Sequence, residues 1–420
     1  MIQPFMPWHR DVTADQWKAF AAAFLGWVLD GFDYTILLLL LGDIQRSFSV
    51  SHALLGALGT VTLIFRVVGG IAAGTAADRW GRKGPLMFSI LWYSLFAFLS
   101  GFSTSFRMLL ALRALFGIGM GGVWAAGVPL AIEHWPARLR GVASGLLQGG
   151  FSVGFVLSAF VYQFAYPLVN QSDRGWRVML WMGVLPALLV VWIVWAVRES
   201  PVWLERQRDL RARRERDPVS LARIFTRDLL PATVQTSLVM GAWAVSYQSI
   251  TFWYPQYLET LHHQRLPFLL ALNVGGIAGA AAWGRLSETR LGRRGAFTLA
   301  MAVGVAATPL YLFATSDLLL WVGALVIGMF AAGSLGIMPG YLSERFPTAV
   351  RGAGAGFAFH VGTGLAAFTP YVVGALQDRG MALATVMGGG IVAGGVLMIV
   401  FVWLGPETRG VRLTETHGSA

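Results

Sequence analysis

The chain contains no cysteine, so disulfide bonds and thiolate metal sites are excluded. Charged residues are also scarce, at 13% of 420 residues, whereas hydrophobic residues make up 56%. A soluble protein of this length needs a more charged surface. The sequence further lacks a phosphate-binding GxxxxGK[ST] loop, an HExxH motif and a cysteine nucleophile. We therefore predict that the protein is not an enzyme and has neither a metal site nor a cofactor.

Long apolar runs are what the sequence has in abundance. Runs of about 18 or more residues recur along the whole chain, and each is long enough to cross roughly 30 Å of hydrocarbon. The sequence therefore predicts an all-α polytopic membrane protein with twelve membrane-spanning helices. We number these spans 1 to 12, at 18–41, 52–76, 84–101, 107–130, 141–165, 176–197, 232–256, 266–284, 295–313, 319–341, 352–377 and 382–404.

The net charge of +11 is distributed in a way that argues against nucleic acid as a partner. Of the 32 Lys and Arg residues, only six lie in or beside the loops after odd-numbered spans, and two lie inside spans. This is the positive-inside asymmetry, which predicts that both termini are cytoplasmic. The first twenty residues lack a signal-peptide layout, so we expect span 1 to be retained.

The chain divides into two similar halves around a basic linker. We predict an N-terminal bundle at 1–197, a cytoplasmic linker at 198–231 and a C-terminal bundle at 232–420. The linker contains nine arginines, and we interpret it as an amphipathic helix resting on anionic headgroups. Residues 133–145 and 344–356 share Glu, Pro, Arg, Gly and Gly at identical spacing. Two parallel halves of six spans are typical of a transporter.

Several motifs resemble a known family. GTAADRWGRK (74–83) resembles the loop signature of the major facilitator superfamily, and RALFGIGMGG (113–122) resembles its fourth-helix motif. LDGFD (29–33) and GWRVMLWMGVLPAL (175–188) are similar to bacterial sialic acid permeases of the sialate:proton symporter family. That family includes lactate and other monocarboxylate permeases, and aromatic-acid:proton symporters share the DGxD element. The resemblance implies the major facilitator fold, with two pseudo-symmetric six-helix bundles, and uptake of an organic anion with protons.

Five ionisable residues are predicted to lie deep inside spans: Asp30, Asp33, Arg66, Arg113 and His360. The two aspartates are about 60° apart around one helix, and we expect both to face a central cavity. One interpretation is a buried salt-bridge set that locks the N-terminal bundle. The other is proton coupling, in which an anion competes for an arginine and an aspartate takes the proton. We favour Asp33 as the titrating residue, with Asp30 as the alternative.

Polar and aromatic residues at mid-depth are candidates for contacting the substrate. Arg66 and Arg113 are the candidate anion-binding residues, and His360 is either a core residue or part of the site. Aromatic side chains also pack helices, so helix packing is the alternative for the rest. The remaining candidates are Tyr34, Trp124, Gln148, Tyr162, Tyr247, Gln248, Trp253, Tyr254 and Asn273.

Charged residues at the cytoplasmic ends of the spans are candidates for a gate. Charge pairs there can hold the two halves together while the transporter faces outward, and part when it opens inward. Topology anchoring is the alternative, but it does not require acidic partners at fixed spacing. The predicted gate consists of Asp78, Arg82, Glu133, Arg140, Glu288, Arg293, Glu344 and Arg351.

The leading functional hypothesis is proton-coupled uptake of an organic anion by a monomer in the bacterial inner membrane. The partners are then the anion, protons and the lipid bilayer, and the proton gradient is the energy source. The motifs indicate sialic acid as the substrate. However, this chain has Val123 and Trp124 where those permeases carry a glutamate in helix four, so a smaller monocarboxylate or an aromatic acid is also open. The alternative is a proton-coupled antiporter that exports drugs or metabolites, although two deep arginines repel a cationic substrate. A nutrient sensor is a third reading.

Overall fold

The computed structural model describes residues 12–136, 139–170, 174–213, 221–261, 264–347 and 350–410, and within this part every regular element is a helix. Nine of the described helices are long and apolar enough to cross a membrane. Three further helical stretches, Lys83–Ser100, Leu230–Thr251 and Gly292–Ala306 with Thr308–Leu312, complete the twelve predicted spans, so this prediction is confirmed. In order they are Ala14–Leu39, His52–Trp80, Lys83–Ser100, Phe106–His134, Arg140–Phe164, Gly175–Trp181 with Ala187–Ala196, Leu230–Thr251, Arg265–Leu286, Gly292–Ala306 with Thr308–Leu312, Asp317–Ile327 with Met338–Glu344, Arg351–Leu365 with Thr369–Asp378, and Leu383–Trp403.

Hydroxyl side chains define where several spans begin. Span 1 starts with a capping box, in which the Thr13 side chain accepts from the backbone N–H of Gln16 and the Gln16 side chain accepts from that of Thr13. Ser51, Ser105 and Ser316 cap spans 2, 4 and 10 by accepting from a backbone N–H three residues later. A capped helix end is worth about 1 kcal/mol over alanine, so these starts are encoded locally.

Proline interrupts several spans, mostly in the C-terminal half. Pro309, Pro339 and Pro370 each lie in the first turn of the second segment of spans 9, 10 and 11, and Pro255 starts a short helix after span 7. Span 10 also passes through a π-helical turn at Gly328–Ala332 and a 3₁₀ turn at Gly333–Ile337. Proline removes a backbone donor and breaks the helical ladder. Spans 7, 9, 10 and 11 therefore contain bend points.

Each half contains the same kind of clamp at its end on the face that carries the linker. The carboxylate of Glu199 accepts from the backbone N–H of Arg82 (2.8 Å) and of Lys83. The carboxylate of Glu407 accepts from the backbone N–H of Arg293 (2.8 Å) and of Arg294 (3.0 Å). In each half, a residue just after the last span thus holds the start of the third span. Neither glutamate was among the predicted residues.

The linker helix differs from its predicted position on lipid headgroups. It runs from Pro201 to Arg213, and Trp203 donates from its indole nitrogen to the carbonyl of Asp78 (2.8 Å). Arg206 and Leu210 of this helix line the large cavity described below. The helix therefore docks against the cytoplasmic end of span 2. The division at residues 198 and 231 stays a prediction.

Candidate functional site

A large cavity of about 2320 Å³ lies between the two halves. At one end its walls include Arg82 and Glu344, at cytoplasmic helix ends. At the other end they include Gln148, Trp124 and His360, at mid-depth in their spans. The cavity therefore opens towards the face that carries the linker, which the charge asymmetry predicts to be cytoplasmic. We call this arrangement inward-facing.

Arg66 occupies the middle of span 2 and is 6% exposed. Its guanidinium lies over the ring of Trp27, at 5.2 Å from the ring centre, and 6.0 Å from the ring centre of Phe359 in the other half. Asp30, fully buried, interacts electrostatically with Arg66. Within the described residues, neither Asp30 oxygen has a hydrogen-bond partner, and neither do Nε and Nη2 of Arg66. Nε and Nη2 form the edge of the guanidinium that binds a carboxylate in two-pronged geometry.

Arg113 and Asp33 form a second acid–base couple through their charges alone, because Nε, Nη1 and Nη2 of Arg113 have no hydrogen-bond partner within the described residues. Both side chains are 1% exposed, and the charges of Asp33 and Arg113 act on each other. The Arg113 guanidinium lies 4.8 Å from the ring centre of Phe116, and Tyr93 of span 3 also lies in the field of Asp33. We expected both aspartates to face the central cavity, and this was wrong. Neither aspartate belongs to the walls of the cavity.

The C-terminal half faces Arg66 with neutral polar groups. Tyr34 donates its hydroxyl to the amide oxygen of Gln248 across the two halves (3.4 Å). Tyr247 stacks on Trp243 at 4.8 Å and interacts electrostatically with Arg66 and Tyr34. The predicted candidates Tyr34, Tyr247 and Gln248 are thus brought together around Arg66.

An aromatic layer, consisting of Trp124, Phe359 and His360, separates Arg66 from the cavity. The rings of Trp124 and Phe359 are parallel, with centres 4.1 Å apart and an interplanar angle of 1°. His360 stands edge-on to both rings, at 5.5 Å from each. All three residues line the cavity, and Phe359 also contacts Arg66. Gln148 accepts a hydrogen bond from the Trp124 indole at 3.4 Å. Phe359 was missed, although it directly precedes the predicted His360.

Two predicted candidates lie far from Arg66, towards the outer face, opposite the linker. Trp253 donates from its indole nitrogen to the carbonyl of Pro370 (3.1 Å), and its ring lies 6.3 Å from that of His52. His52 precedes Arg66 by about 21 Å along span 2. Tyr162 lies under the guanidinium of Arg265, at 5.1 Å, at the outer start of span 8. We therefore leave Trp253 and Tyr162 out of the anion site.

Two further candidates, Tyr254 and Asn273, make their contacts within the C-terminal half. Tyr254 is fully buried and packs on Tyr311 at 4.5 Å. Asn273 donates its amide to the carbonyl of Leu269, one turn earlier in the same helix (2.9 Å). These contacts explain both residues by packing and helix hydrogen bonding, so neither is assigned to the anion site.

The outer face is closed by polar contacts between the halves, which we call the outer latch: His52, Asp378, Arg46, Glu259 and Arg265. Asp378 of span 11 accepts from the backbone N–H of His52 (2.9 Å) and Ala53 (2.8 Å), and lies 2.9 Å from Nδ1 of His52. Glu259 pairs with Arg265 (2.7 Å) and, at 3.9 Å, with Arg46 of the N-terminal half. The latch was not predicted, because its members are far apart in the chain and follow no repeated spacing.

Six of the predicted gate residues form two clusters of three, and the ion pairs of each cluster lie within one half. Arg82 pairs with Asp78 (2.5 Å) and Glu133 (3.2 Å). Burial alone would lower the pKa of Arg82, but these carboxylates raise it above its usual value. Pairing between the halves was expected only for the outward-facing state, so it stays a prediction.

The second cluster repeats the first. Arg293 pairs with Glu288 (2.5 Å) and Glu344 (2.7 Å). Arg351 donates from Nε to the carbonyl of Ser343 (3.2 Å). The side chain of Arg140 lies outside the described part of the structure.

The sequence model of the Major Facilitator Superfamily matches residues 23–370. The chain belongs to this superfamily. The transporter is 34% identical to a probable 4-methylmuconolactone transporter of Cupriavidus pinatubonensis, over 98% of this chain and 95% of that protein. It is 30% identical to the sialic acid transporter NanX of Escherichia coli, over 84% and 86% of the two chains. It is 31% identical to a cis,cis-muconate transport protein of Acinetobacter baylyi, over 93% and 95%.

Solved structures confirm the fold. The inward-open xylose transporter XylE from E. coli superposes with a TM-score of 0.74 at 21% identity, covering 95% of this chain and 98% of that one. Its partially occluded inward-open form gives 0.75 at 20% identity, covering 96% and 100%. The transporter is therefore a multi-pass membrane protein with the major facilitator fold, and it is not an enzyme.

Proposed function

We propose that the transporter is a proton-coupled symporter that takes up an organic anion, sialic acid or another monocarboxylate, by alternating access. It works as a monomer in the bacterial inner membrane, with both termini cytoplasmic, and uses the proton gradient without a cofactor. The functions named for the relatives support an organic acid as cargo. The sequence asymmetry of Lys and Arg supports the orientation.

The observation that carries the proposal is the separation of two buried acid–base couples. Asp30 acts with Arg66 next to the aromatic layer, and Asp33 acts with Arg113 inside the N-terminal half. Arg66 offers Nε and Nη2 without a competing acceptor among the described residues. We assign Arg66 to the anion and Asp33 to the proton.

Electroneutrality couples the two ligands. Two aspartates and two arginines, Asp30, Asp33, Arg66 and Arg113, sum to zero formal charge in a site that is almost fully buried. An uncompensated charge in such a site is strongly unfavourable. A monocarboxylate on Arg66 adds one negative charge, and one proton on an aspartate restores neutrality. The arrangement supports one proton per monocarboxylate.

The substrate is released to the cytoplasm when the proton leaves. In the inward-facing structure the cytoplasmic clusters stay within their halves, and the outer latch holds the halves together on the opposite face. Return to the outward-facing state requires the latch to open and the cytoplasmic ends to approach. A site at the interface of two rocking halves fits alternating access.

Uptake into proteoliposomes tests the proposal. Labelled sialic acid and lactate are offered side by side with an inward proton gradient, using wild type, Asp33→Asn, and Asp209→Asn as a control for loss of an exposed linker carboxylate. Protein-free liposomes correct for passive entry. We expect gradient-driven accumulation by wild type and Asp209→Asn, whereas Asp33→Asn keeps anion exchange but loses accumulation.

Three outcomes contradict the proposal. If the gradient has no effect on wild type, proton coupling is wrong. If Asp33→Asn accumulates as wild type does, Asp33 is not the proton site. If no organic anion moves inward and an inward gradient instead drives a drug out, the exporter hypothesis replaces it.

A further inference from the structure

We infer that Arg294 and Arg345, which we call the arginine pair, bind the phosphate group of an anionic lipid. The site lies in the C-terminal half, where span 9 begins and span 10 ends, on the face that carries the linker. It is separate from the anion site at Arg66, and the proposed transport cycle does not use it. The lipid is therefore a bound ligand of the transporter rather than its cargo.

The arginine pair lies behind the wall of the central cavity. Arg293 and Glu344 line that cavity, but their immediate neighbours in the sequence, Arg294 and Arg345, do not. Arg345 follows Tyr341 by about one helical turn, so their side chains share one face of span 10. Tyr341 is also absent from the cavity wall, and it lies in the electrostatic fields of both members of the pair. The two arginines are therefore brought together on the side that faces away from the cavity.

Exposed apolar side chains place the pair at the surface of the bilayer. Trp403 and Leu404, at the end of span 12, are 54% and 72% exposed. Tryptophan is enriched where spanning helices pass through the headgroup region. The Arg294 guanidinium lies 4.0 Å from the ring centre of Trp403, whose indole donates to the Thr298 hydroxyl (2.8 Å). Arg294 is thus held beside a residue that marks the level of the lipid headgroups.

The described chain leaves the arginine pair without an acceptor. Within the described residues, Nε of Arg294 and Nε of Arg345 are buried and have no hydrogen-bond partner. The carboxylate of Glu407 is close, but it accepts from the backbone N–H groups of Arg293, Arg294, Thr408 and Arg409. A buried donor without an acceptor is unfavourable. A phosphate removes this deficit, because a guanidinium binds phosphate oxygens in two-pronged geometry.

The electrostatics of Arg345 differ from those of an arginine that has carboxylate partners. Burial lowers the pKa of Arg345, although Tyr341 acts in the opposite direction. Burial also acts to lower the pKa of Arg82, but the carboxylates of Asp78 and Glu133 outweigh it and raise that pKa. An anionic group from outside the chain would do for Arg345 what these carboxylates do for Arg82.

The N-terminal half satisfies the equivalent positions internally. The internal repeat places Lys83 and His134 at the positions of the arginine pair. Lys83 donates from Nζ to the carbonyl of Val194 (2.9 Å), and Nδ1 of His134 lies 2.8 Å from the carbonyl of Leu130. Both side chains thus have a partner in their own half. The unfilled guanidinium groups are a feature of the C-terminal half and do not follow from the repeat.

The position and charge of the site favour a lipid over free phosphate. A lipid can lay its acyl chains on Trp403 and Leu404 while its phosphate reaches the arginine pair, whereas inorganic phosphate makes only the polar contact. The formal charges of Arg294, Arg345 and Glu407 sum to +1. A headgroup with one net negative charge neutralises this sum, but a zwitterionic headgroup does not.

Native mass spectrometry of the purified full-length transporter in detergent tests the inference. The probes are phosphatidylglycerol, phosphatidylcholine with the same acyl chains, and inorganic phosphate. The two lipids share the phosphate and differ in net charge. We expect the first phosphatidylglycerol to bind about tenfold more tightly than phosphatidylcholine, and inorganic phosphate to bind more weakly than phosphatidylglycerol.

Variants assign the preference to the arginine pair. Arg294→Gln and Arg345→Gln should each weaken the first phosphatidylglycerol about fivefold, and the double variant about 25-fold. Arg290→Gln removes the same charge from an exposed position between spans 8 and 9, and it should keep the wild-type affinity. In lipid-free detergent, Arg345→Gln should melt as wild type does, because the chain offers its side chain no acceptor.

Four results overturn the inference. Equal affinity for the two lipids removes the role of net charge, and inorganic phosphate that binds as tightly as phosphatidylglycerol makes the ligand a free anion. An unchanged affinity in the double variant, or an equal loss in Arg290→Gln, places the lipid elsewhere. Failure of Arg345→Gln to fold, or a lower melting temperature without lipid, shows that this arginine supports the fold instead.

Discussion

Removal of the Asp378 carboxylate should release the outer face. In the inward-facing structure this side chain accepts from two backbone N–H groups at the start of span 2 and contacts the His52 ring. Loss of capping acceptors costs about 1–2 kcal/mol. The partly exposed contact with His52 adds roughly 0–1 kcal/mol. Both contributions are absent once the latch is open, so Asp378→Ala should shift the equilibrium towards the outward-open form by about 2 kcal/mol, or roughly 30-fold.

The absence of cysteine makes this shift directly measurable. Thr104→Cys and Thr315→Cys place two labels on exposed loops at the outer face, one on each half, in a background without other thiols. Distances between spin labels should show one short population for the parent and an added longer population for Asp378→Ala. Asp378→Asn, which keeps one acceptor oxygen, should have a smaller effect, and Asp317→Ala controls for net charge at the same face. An unchanged distance distribution in Asp378→Ala would refute the latch.

Two further predictions concern packing and pH. Gly69→Ala should destabilise the fold by roughly 1–3 kcal/mol through overpacking, because its Cβ would meet the carbonyl of Ile118. The melting temperature should fall accordingly. Gly70→Ala should instead displace the His360 ring and impair transport with a smaller stability loss. Equal melting temperatures for the two variants would contradict this. Burial would raise the pKa of Glu407, but backbone N–H donors lower it overall. Its stabilising contribution is therefore complete above its usual pKa of 4.5 and is lost as pH falls through the lower folded value. Glu407→Gln should melt below wild type at pH 7, and the gap should close on acidification; a gap that widens would reverse the assignment.

The spans were predictable because an apolar run of sufficient length has few alternatives to a membrane helix. The depth of Asp30, Asp33, Arg66 and Arg113 followed from their positions in those runs. Which aspartate serves which arginine did not follow. Residues three apart differ by only about 60° around a helix, so the neighbours of span 1 decide the pairing.

Contacts between halves were the least predictable part of the site. Phe359 lies beside Trp124 only because spans 4 and 11 meet below Arg66. Asp378 accepts hydrogen bonds from residues 326 and 325 positions earlier in the chain. The repeated motifs around Arg82 and Arg293 predicted two similar charge clusters. Their spacing could not tell pairing within a half from pairing between halves, since both satisfy the same pattern.

The latch also has a consequence for how the chain is made. Ser51 caps one N–H group at the start of span 2, but the acceptor for His52 and Ala53 belongs to span 11. When the N-terminal bundle leaves the ribosome, the first turn of span 2 therefore lacks the acceptor for these two N–H groups, because Asp378 is synthesised 326 residues after His52. That turn is completed only when the second bundle has inserted and docked. In a transporter truncated before Asp378, the N–H groups of His52 and Ala53 would stay exposed to water. Their exposure at the outer surface would therefore report whether the two bundles have assembled.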